Sequence, residues 1–368
     1  MKWEKVKLGE IIEIKKGAYI TKKDSKEGPY PVILGGREPA YYIDTFNHTG
    51  KAIVISRSGA SAGYVSFWNE PIFVTDGFLI EPKENVNIDF LYYLIKSRQA
   101  ELQGKQGGAA IPHVNPRTIN AIEVKFPSTS IQERIVEILS AYDDLIENNQ
   151  KQIKLLEEAA QRLYKAWFVD FRFPGHESTP IIDGIPQGWK KERLVDIADI
   201  QYGFAFDGSR FNSNGNGRPI IRIRNIPSGT TKDYTTEEAE EQYVVKNGDI
   251  VVGMDGEFHI NSWSGGDSYL VQRTCRIKPR DMSMNGYLLQ AIYEPIKFFE
   301  STVVGATVAH LGKKHIDTIC VHTAPKEMYE PFQQYFSKRQ LLLNQIHKLV
   351  EARDRLLPKL MSGELEVE

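Results

Sequence analysis

Basic side chains stand at the ends of apolar runs in two distant parts of the chain. Arg57 and Ser58 follow the run AIVIS, and Arg222 and Arg224 alternate with isoleucine in GRPIIRIRN, just before Asn225. An arginine at a strand end can contact a phosphate or donate two hydrogen bonds to O6 and N7 of guanine. A period of two predicts that Arg222 and Arg224 share one face of a sheet. The pattern favours a polyanion site, and solvated surface charge is the alternative for each residue.

Catalytic signatures are missing. The chain has no [DNS]-P-P-[YFW] stretch, with which an amino-methyltransferase holds a flipped base, and no Pro-Asp dipeptide of the kind that opens a nuclease core. It also lacks a Walker-type phosphate loop. His310, His315 and His322 could suggest a metal site, but His310 has a counterpart in His113, so a shared loop role explains it better than zinc does. We predict no catalytic residue, no metal and no cofactor bound by this chain.

The composition is that of an ordinary globular protein. The 368 residues are 41% hydrophobic and 26% charged, with a net charge of −2, which predicts two or three domains and restricts any polyanion site to a local patch. No apolar run approaches the ~18 residues of a membrane span, and the N-terminus MKWEKVKLGE is too polar for a secretory signal. Cys275 and Cys320 are predicted to be small buried hydrophobes. These features favour a reducing cytoplasm and no membrane contact.

The chain repeats itself. Trp3–Gly17 (WEKVKLGEIIEIKKG) matches Trp189–Gly203 (WKKERLVDIADIQYG) at an offset of 186 residues. Further on the offset is 197, where Gly108–Val124 (GAAIPHVNPRTINAIEV) matches Gly305–Val321 (GATVAHLGKKHIDTICV). The difference, 197 − 186 = 11 residues, is an insertion in the second copy. Short β-branched runs separated by glycine, proline and asparagine turns predict that each copy is a mixed α/β unit.

The repeat sorts the candidate site residues. His113 aligns with His310 in the second copy. This match indicates either a shared role that does not depend on the DNA sequence or a hydrogen bond that stabilises the loop. Met254 aligns with Arg57, so the second copy has no arginine at this strand end. Arg273 or His259 can take over the role of Arg57 there. Lysines beside glycine turns complete the set, because open amides in such turns can bind a phosphate. The candidates are Lys22, Lys23, Arg37, Arg57, Ser58, Lys105, Gln106, His113, Arg218, Arg222, Arg224, Asn225, His259, Arg273, His310, Lys313 and Lys314.

Each copy ends in a long amphipathic stretch with apolar residues at alternating spacings of four and three. That spacing is typical of a coiled-coil seam. Asn149 and Arg353 are polar seam positions that can fix the register at a cost in stability. The predicted seam is Ile135, Leu139, Tyr142, Ile146, Asn149, Ile153, Leu156 and Leu163 in the first helix and Leu342, Ile346, Leu349, Arg353 and Leu356 in the second.

The first helix is predicted over Ile131–Phe168, with an N-cap supplied by Ser128-Thr129-Ser130, a capping box of Ser130 with Glu133, and Pro174-Gly175 as the stop. At 1.5 Å per residue it is roughly 57 Å long, more than one unit of this size needs. We expect the two helices to pair antiparallel as one coiled coil. The alternative is that each helix packs on its own unit. Acidic residues outside the seam, among them Asp143 and Glu157, suggest a basic partner or a solvated face.

The predicted architecture is α+β, with two similar mixed α/β domains separated by two long antiparallel helices that form a coiled coil, related by a pseudo-two-fold internal repeat. The first globular domain covers residues 1–127 and the central helix residues 128–173. The second globular domain covers residues 174–325 and the C-terminal helix residues 326–368.

This arrangement resembles the DNA-specificity subunit of type I restriction–modification systems over essentially the whole chain. The resemblance lies in the openings at Trp3–Glu10 and Trp189–Asp196, in the loops at Gly108–Val114 and Gly305–Leu311, and in the block PSTSIQERIVEILSAYDDLIENNQ. Each motif alone is weak, whereas their order and duplication together are specific.

The resemblance implies a non-catalytic role. Each globular unit would be a target-recognition domain that reads one half of a split, asymmetric target in double-stranded DNA, and the coiled coil would set the gap. Two modification subunits would dock, bind S-adenosylmethionine and methylate an adenine in each half-site. Up to two restriction subunits would join, and these would use ATP and Mg²⁺ to translocate and cut DNA.

Two other functions stay open at this stage. The chain could be a self-contained methyltransferase or nuclease with its own recognition domains, although the missing motifs oppose this. It could also be a coiled-coil scaffold that does not bind DNA, which the near-neutral charge allows.

Overall fold

The computed structural model describes residues 3–36, 38–104, 113–302 and 309–367. The chain forms two compact units, unit 1 (Met1–Leu145 with Leu349–Glu368) and unit 2 (Ile146–Lys348). Both long helices begin in one unit and end in the other. The recognition-domain boundaries at residues 127, 173 and 325 are a different division and stay predictions.

Unit 1 is built from short strands and helices around a main apolar core and two smaller apolar clusters. Its strands are β1 (Glu4–Lys7), β2 (Ile12–Lys16), β3 (Tyr30–Ile33), β4 (Tyr41–Ile43), β5 (Lys51–Ser56), β6 (Val65–Asn69), β7 (Phe73–Val74), β8 (Gly77–Pro82) and β9 (Glu123–Phe126). Its helices are α1 (Leu8–Ile11), α2 (Ile88–Ser97), α3 (Gln99–Gly104), α4 (Pro116–Asn120) and the first part of α5 (Thr129–Tyr164). Asn87 caps α2, its side chain accepting from the amides of Asp89 and Phe90. Helices α2 and α3 are separated only by Arg98.

Unit 2 repeats this plan with additional short strands. Its strands are β10 (Ile181–Ile182), β11 (Ile185–Pro186), β12 (Lys190–Arg193), β13 (Ala198–Tyr202), β14 (Phe211–Asn212), β15 (Arg218–Ile221), β16 (Tyr234–Thr235), β17 (Val244–Val245), β18 (Ile250–Gly253), β19 (Ile260–Ser262), β20 (Ser268–Leu270), β21 (Thr274–Pro279) and β22 (Cys320–Thr323). Its helices are α6 (Leu194–Ile197), α7 (Asn285–Ala291), α8 (Tyr293–Thr302), α9 (Lys313–Ile316) and the first part of α10 (Glu330–Ser362).

The sheets of the two units match. The main sheet of unit 1 has the order β2-β8-β5-β6, and that of unit 2 has the order β13-β21-β18-β19. A second antiparallel pair joins the start of each repeat to its end, β1 with β9 and β12 with β22. The amide of Leu8 donates to the carbonyl of Ile122 at 2.9 Å, and that of Leu194 to Ile319 at 2.8 Å. The internal repeat is therefore confirmed at the level of strand pairing.

The glycine that closes each repeat opening has the same steric role in both units. The Gly17 amide donates to the carbonyl of Gly77, and the Gly203 amide to that of Thr274, each at 3.0 Å. A Cβ on Gly17 would lie 2.3 Å from the Thr75 carbonyl oxygen, and one on Gly203 2.0 Å from that of Val271. Because no side chain fits between two such closely packed backbones, only glycine suits either position.

Within unit 1 the start of α5 packs against the end of α10. Ile135 and Leu139 share the core with Leu360 and Met361. Arg353 Nη1 donates to Asp143 Oδ1 at 2.5 Å, and the Tyr93 hydroxyl donates to Asp143 Oδ2 at 2.5 Å. Burial, reinforced by the hydrogen bond to Asp143, raises the pKa of Tyr93 far above its ordinary value. Asp143 therefore ties both helices to the globular part of unit 1.

Within unit 2 the later half of α5 packs against the first half of α10. Asn149 Nδ2 donates to Gln345 Oε1 at 3.4 Å, and Arg339 Nε donates to Glu157 Oε1 at 2.6 Å. Partner numbers fall along α10 as they rise along α5, so the helices are antiparallel. The expected coiled coil is confirmed, and Asp143 and Glu157 bind arginines of α10 instead of forming a purely solvated face.

All the predicted seam positions are buried or half-buried. Those that are at most 9% exposed are Ile135, Leu139, Ile146, Asn149, Ile153 and Leu342. The half-buried ones are Tyr142, Leu156, Leu163, Ile346, Leu349, Arg353 and Leu356.

The ends of the first helix differ from the prediction. The helix begins at Thr129, directly after Ser128 of the predicted cap stretch, but Ser130 lies inside its first turn, so the capping box of Ser130 with Glu133 was wrong. The Ser128 carbonyl accepts from the amides of Ile131 and Gln132, which completes this turn. At the other end a π-helical turn, Lys165–Val169, replaces the α-helix well before Pro174. Phe168 of this turn is buried in the core of unit 2, which gives the chain a packing reason to leave the helix there.

Cys275 is buried as predicted, but Cys320 is exposed, so the second half of that prediction was wrong. In the antiparallel pair with β12, Cys320 lies opposite Arg193, and the next residue, Val321, points into the core. Alternation along a strand places neighbouring side chains on opposite faces.

We expect iodoacetamide at neutral pH to label only Cys320 in the native chain. Burial raises the pKa of Cys275 to about 12, which suppresses the reactive thiolate as well as access to it. Mass spectrometry of the peptides checks the site, and the denatured chain, in which both cysteines should react, is the control. Rapid labelling of Cys275 in the native chain would contradict this core.

Candidate nucleic-acid interface

At the end of the central strand, both units hold four residues on the same backbone frame. In unit 1 the frame is Arg57, Ser58, Asp76 and His113, and in unit 2 it is Met254, Asp255, Arg273 and His310. In each unit the amide of the residue after the strand donates to a backbone carbonyl of the neighbouring turn. The Arg57 amide donates to the Asp76 carbonyl at 3.2 Å, and the Met254 amide donates to the Arg273 carbonyl at 2.9 Å. The next residue forms an isolated antiparallel bridge to the histidine, Ser58 with His113 and Asp255 with His310. We call these four positions the strand-end frame.

In unit 1 the side chains of the frame converge on Asp76. The Ser58 hydroxyl donates to Asp76 Oδ2, and Arg57 Nη1 lies 3.8 Å from Asp76 Oδ1. The Arg57 side chain is 44% exposed. The sequence-predicted residues Arg57, Ser58 and His113 are therefore brought together, with Asp76 as an added partner.

In unit 2 the side chains of the frame converge on Asp255. Arg273 Nη1 donates to Asp255 Oδ2 at 2.5 Å, and His310 Nδ1 lies 2.5 Å from Asp255 Oδ1. The Asp255 side chain is 13% exposed, whereas that of Arg273 is 67% exposed. Arg273 has a φ of 67°, which is uncommon for a residue other than glycine.

The shared sheet face predicted for Arg222 and Arg224 was wrong. Strand β15 ends at Ile221, and residues Ile223–Asn225 form a 3₁₀ turn. The turn forms because the Arg222 amide donates to the Asn225 side chain at 2.8 Å and Asn225 in turn donates to Asp233 at 3.2 Å. Arg224 Nη2 also donates to Asp233, at 2.6 Å. Burial alone would raise the pKa of Asp233, but the hydrogen bonds from Arg224 and Asn225 lower it.

The same turn places Arg222 and Arg224 next to Arg273. The three arginines line one open cleft of about 400 Å³ in unit 2, together with Gln272, Phe206 and Phe211. The Arg222 guanidinium lies 5.7 Å from the centre of the Phe211 ring. A cleft with guanidinium groups, an amide and aromatic rings offers the groups that bind phosphates and base edges.

The other candidates lie apart from the two frames. Lys22, Lys23, Lys313 and Lys314 are exposed. Arg218 stacks on the Tyr269 ring at 4.6 Å, with Glu241 3.7 Å away. His259 lies 3.5 Å from Glu257, and the Gly253 amide donates to its carbonyl. Arg37, Lys105 and Gln106 lie outside the described residues.

Sequence reasoning missed the two aspartates. Asp76 and Asp255 were not among the candidates, because acidic side chains do not bind a polyanion directly. The repeat could have identified them, since at offset 197 Asp76 falls on Arg273 and Ser58 on Asp255. Asp76 and Arg273 occupy the same aligned position, whereas their partners Arg57 and Asp255 lie one aligned position apart, so the acid–base pair is kept while the positions of its members change.

The described residues contain neither a metal-binding cluster nor a membrane-spanning helix. No group of three or more histidine, cysteine, aspartate or glutamate side chains is arranged to hold a metal ion. No helix among these residues combines the length and apolar character needed to cross a membrane.

Comparison with known proteins places the chain in a family. The profile described as "Type I restriction modification DNA specificity domain" matches residues 1–158 and again residues 186–351. The chain belongs to this family. The two matches cover both units, so this specificity subunit carries the domain twice. Membership supports the reading as a specificity subunit over the alternatives of a self-contained methyltransferase or nuclease and of a scaffold without a part in DNA recognition.

Curated relatives agree with the family. The chain is 29% identical over 375 residues to the type I restriction enzyme MjaIX specificity subunit of Methanocaldococcus jannaschii, covering 95% of this chain and 87% of that protein. It is 21% identical to the HindI specificity subunit of Haemophilus influenzae, covering 79% of this chain and 80% of that protein. The crystal structure of the specificity subunit of a type I restriction–modification system from M. genitalium superposes with a TM-score of 0.61. At 19% identity, over 100% of this chain and 97% of that one, this match shows the shared fold of the specificity subunit.

Proposed function

We propose that this specificity subunit reads a two-part, asymmetric target in double-stranded DNA, one half with each unit. The support is the pair of strand-end frames, which share their backbone and histidine and differ in the position of the arginine. Shared backbone suits the same approach to a duplex, and different side chains suit different bases. The two half-sites should therefore differ in sequence.

The coiled coil is proposed to set the spacing between the half-sites. Both helices run from one unit into the other, and partly buried polar contacts fix their register. A polar pair inside a seam specifies one register, since any shift leaves a charged group without its partner. A fixed register gives a fixed length of connection.

The partners proposed for this chain supply the chemistry. Two modification subunits would bind S-adenosylmethionine and methylate an adenine in each half-site, and up to two restriction subunits would use ATP and Mg²⁺ to translocate and cut DNA. This chain would bind no cofactor itself and would work where the DNA is, in the cytoplasm. The DNA contacts proposed are the seventeen candidates from Lys22 to Lys314 given above, the three outside the described residues included.

The experiment that tests the proposal is methylation of random-sequence DNA by the full chain assembled with its modification subunits. The methylated sites should share two different short motifs separated by a constant gap. A single continuous motif, or two identical motifs, would contradict the proposal.

The exposed lysines are expected to contact phosphates. Replacing Lys313 and Lys314 with alanine should weaken binding to all DNA sequences alike and lower the slope of log affinity against log salt by about one for each phosphate that is no longer bound. Titrations at several salt concentrations measure this slope. Lys190→Ala, at an exposed position on β12, is the matched control and should leave the slope unchanged. A change in sequence preference without a change in slope would instead indicate base contacts.

A further inference from the structure

The two strand-end frames hold one arginine and one aspartate each, in exchanged positions. In unit 1 the arginine directly follows the central strand and the aspartate lies on the neighbouring turn. In unit 2 the aspartate follows the strand, one residue later, and the arginine lies on the turn. Because the backbone hydrogen bonds of the frame are the same in both units, the exchange moves the guanidinium and leaves the frame in place.

Stability does not explain these pairs well. Both guanidinium groups are well exposed, at 44% for Arg57 and 67% for Arg273, while their aspartates are more buried. Exposed ion pairs contribute little to the free energy of unfolding. In unit 2 the arginine also takes up a left-handed backbone conformation, which is strained for a residue with a side chain. A strained, exposed arginine held by a carboxylate is typical of a side chain kept ready for a ligand.

The carboxylate also distinguishes between the two kinds of DNA contact. The negative group lies 2.5 Å from the guanidinium in unit 2 and 3.8 Å from it in unit 1. It disfavours a phosphate as the next neighbour, more strongly in unit 2, because the two anions repel each other. The edge of guanine carries no charge and presents two acceptors, O6 and N7, which a guanidinium of fixed orientation can bind together. Holding one side of the guanidinium fixes the orientation of the other side.

We propose that Arg57 and Arg273 are the base-contacting arginines of the two half-sites, each donating to a guanine, and that Asp76 and Asp255 are the residues that position them. This rests on the proposed function, since it assumes that each unit reads one half-site. His113 and His310 hold the same position in both frames. They serve the part of the DNA contact that is the same in both half-sites. The exchange places the guanine at a different point in each half-site.

The test uses the full chain assembled with its modification subunits and a library of random DNA, with the methylated motif as the readout. Arg273→Ala is expected to reduce discrimination at one base pair of one half-site by about ten-fold or more. The other half-site and the gap should stay as in the wild type. Arg57→Ala should have the same effect in the other half-site, which gives an independent test if one variant folds poorly.

The positioning role is tested by Asp255→Asn and by a matched control. Asp255→Asn should weaken the sequence preference at the same base pair as Arg273→Ala, but to a smaller extent. The salt dependence of DNA binding should stay unchanged. Arg280→Ala removes an arginine of similar exposure that binds Asp199 away from the frame, and it should leave the motif unchanged.

Two outcomes would overturn the inference and leave the proposed function standing. Both half-site motifs could persist in Arg273→Ala and Arg57→Ala with uniformly weaker methylation, which would indicate phosphate contacts. Alternatively these variants could behave like Arg280→Ala. If the wild-type complex itself methylates no two-part motif, the proposed function fails instead.

Discussion

Replacing Arg339 with alanine is expected to lower the free energy of unfolding of unit 2 by about 3 kcal/mol. The Arg339 guanidinium donates to Glu157 at 2.6 Å, to the Ser262 hydroxyl at 2.5 Å and to the Asn261 side chain at 2.8 Å. It is 9% exposed, and Ser262 is fully buried. Alanine would remove three charge-assisted hydrogen bonds and enlarge an adjoining cavity of about 260 Å³.

Chemical denaturation followed by circular dichroism measures the decrease in stability. The matched control is Arg355→Ala on the same helix, where the arginine side chain is 78% exposed and pairs with Glu351 one turn away. That pair should contribute only about 0.3–0.5 kcal/mol. If the two variants are destabilised equally, the Arg339 contacts do not hold α5, α10 and β19 together within unit 2.

The features of the fold that repeat along the chain could be predicted from the sequence. The spacing of apolar residues at four and three predicted both long helices and their seam, because a buried stripe needs a regular period. The matched openings at Trp3 and Trp189 predicted two like units, and the paired sheets confirm them. The end of α5 could not be predicted this way. Phe168 leaves the helical pattern to pack in the core of unit 2, and that tertiary contact outweighs the local preference for helix.

Much of the candidate site could not be predicted from the sequence. The alternation in GRPIIRIRN suggested a strand through Arg224, but Asn225 and Asp233, eight residues apart, bind each other and form a turn. Likewise, nothing local to Asp255 indicates that Arg273 and His310 lie beside it. Such contacts depend on strand pairing between distant segments, and a local pattern does not contain them.

The second large effect concerns the length of the coiled coil. Removing residues Asp144–Gln150 from α5 and residues Ile346–Ala352 from α10 deletes one heptad from each helix. The seam spacing of four is restored from Tyr142 to Ile153 and from Leu342 to Arg353, and the Asp143–Arg353 and Glu157–Arg339 pairs are retained. Seven residues correspond to roughly 10 Å of helix, or about three base pairs of DNA.

The shortened chain should prefer a target whose half-sites are about three base pairs closer together. Methylation at the new spacing should be slower than in the wild type, because three base pairs also rotate one half-site by roughly 100° about the DNA axis. Deleting the heptad from α5 alone is the control. It breaks the seam and should abolish any preferred spacing.

Methylation of a library with fixed half-sites and variable gaps, by the wild-type and the doubly shortened chain in the assembled complex, tests the account most directly. The prediction is one preferred gap for each chain, about three base pairs shorter in the variant, with both half-site sequences unchanged. An unchanged gap in the shortened chain would contradict the claim that the paired helices set the distance between the two DNA contacts.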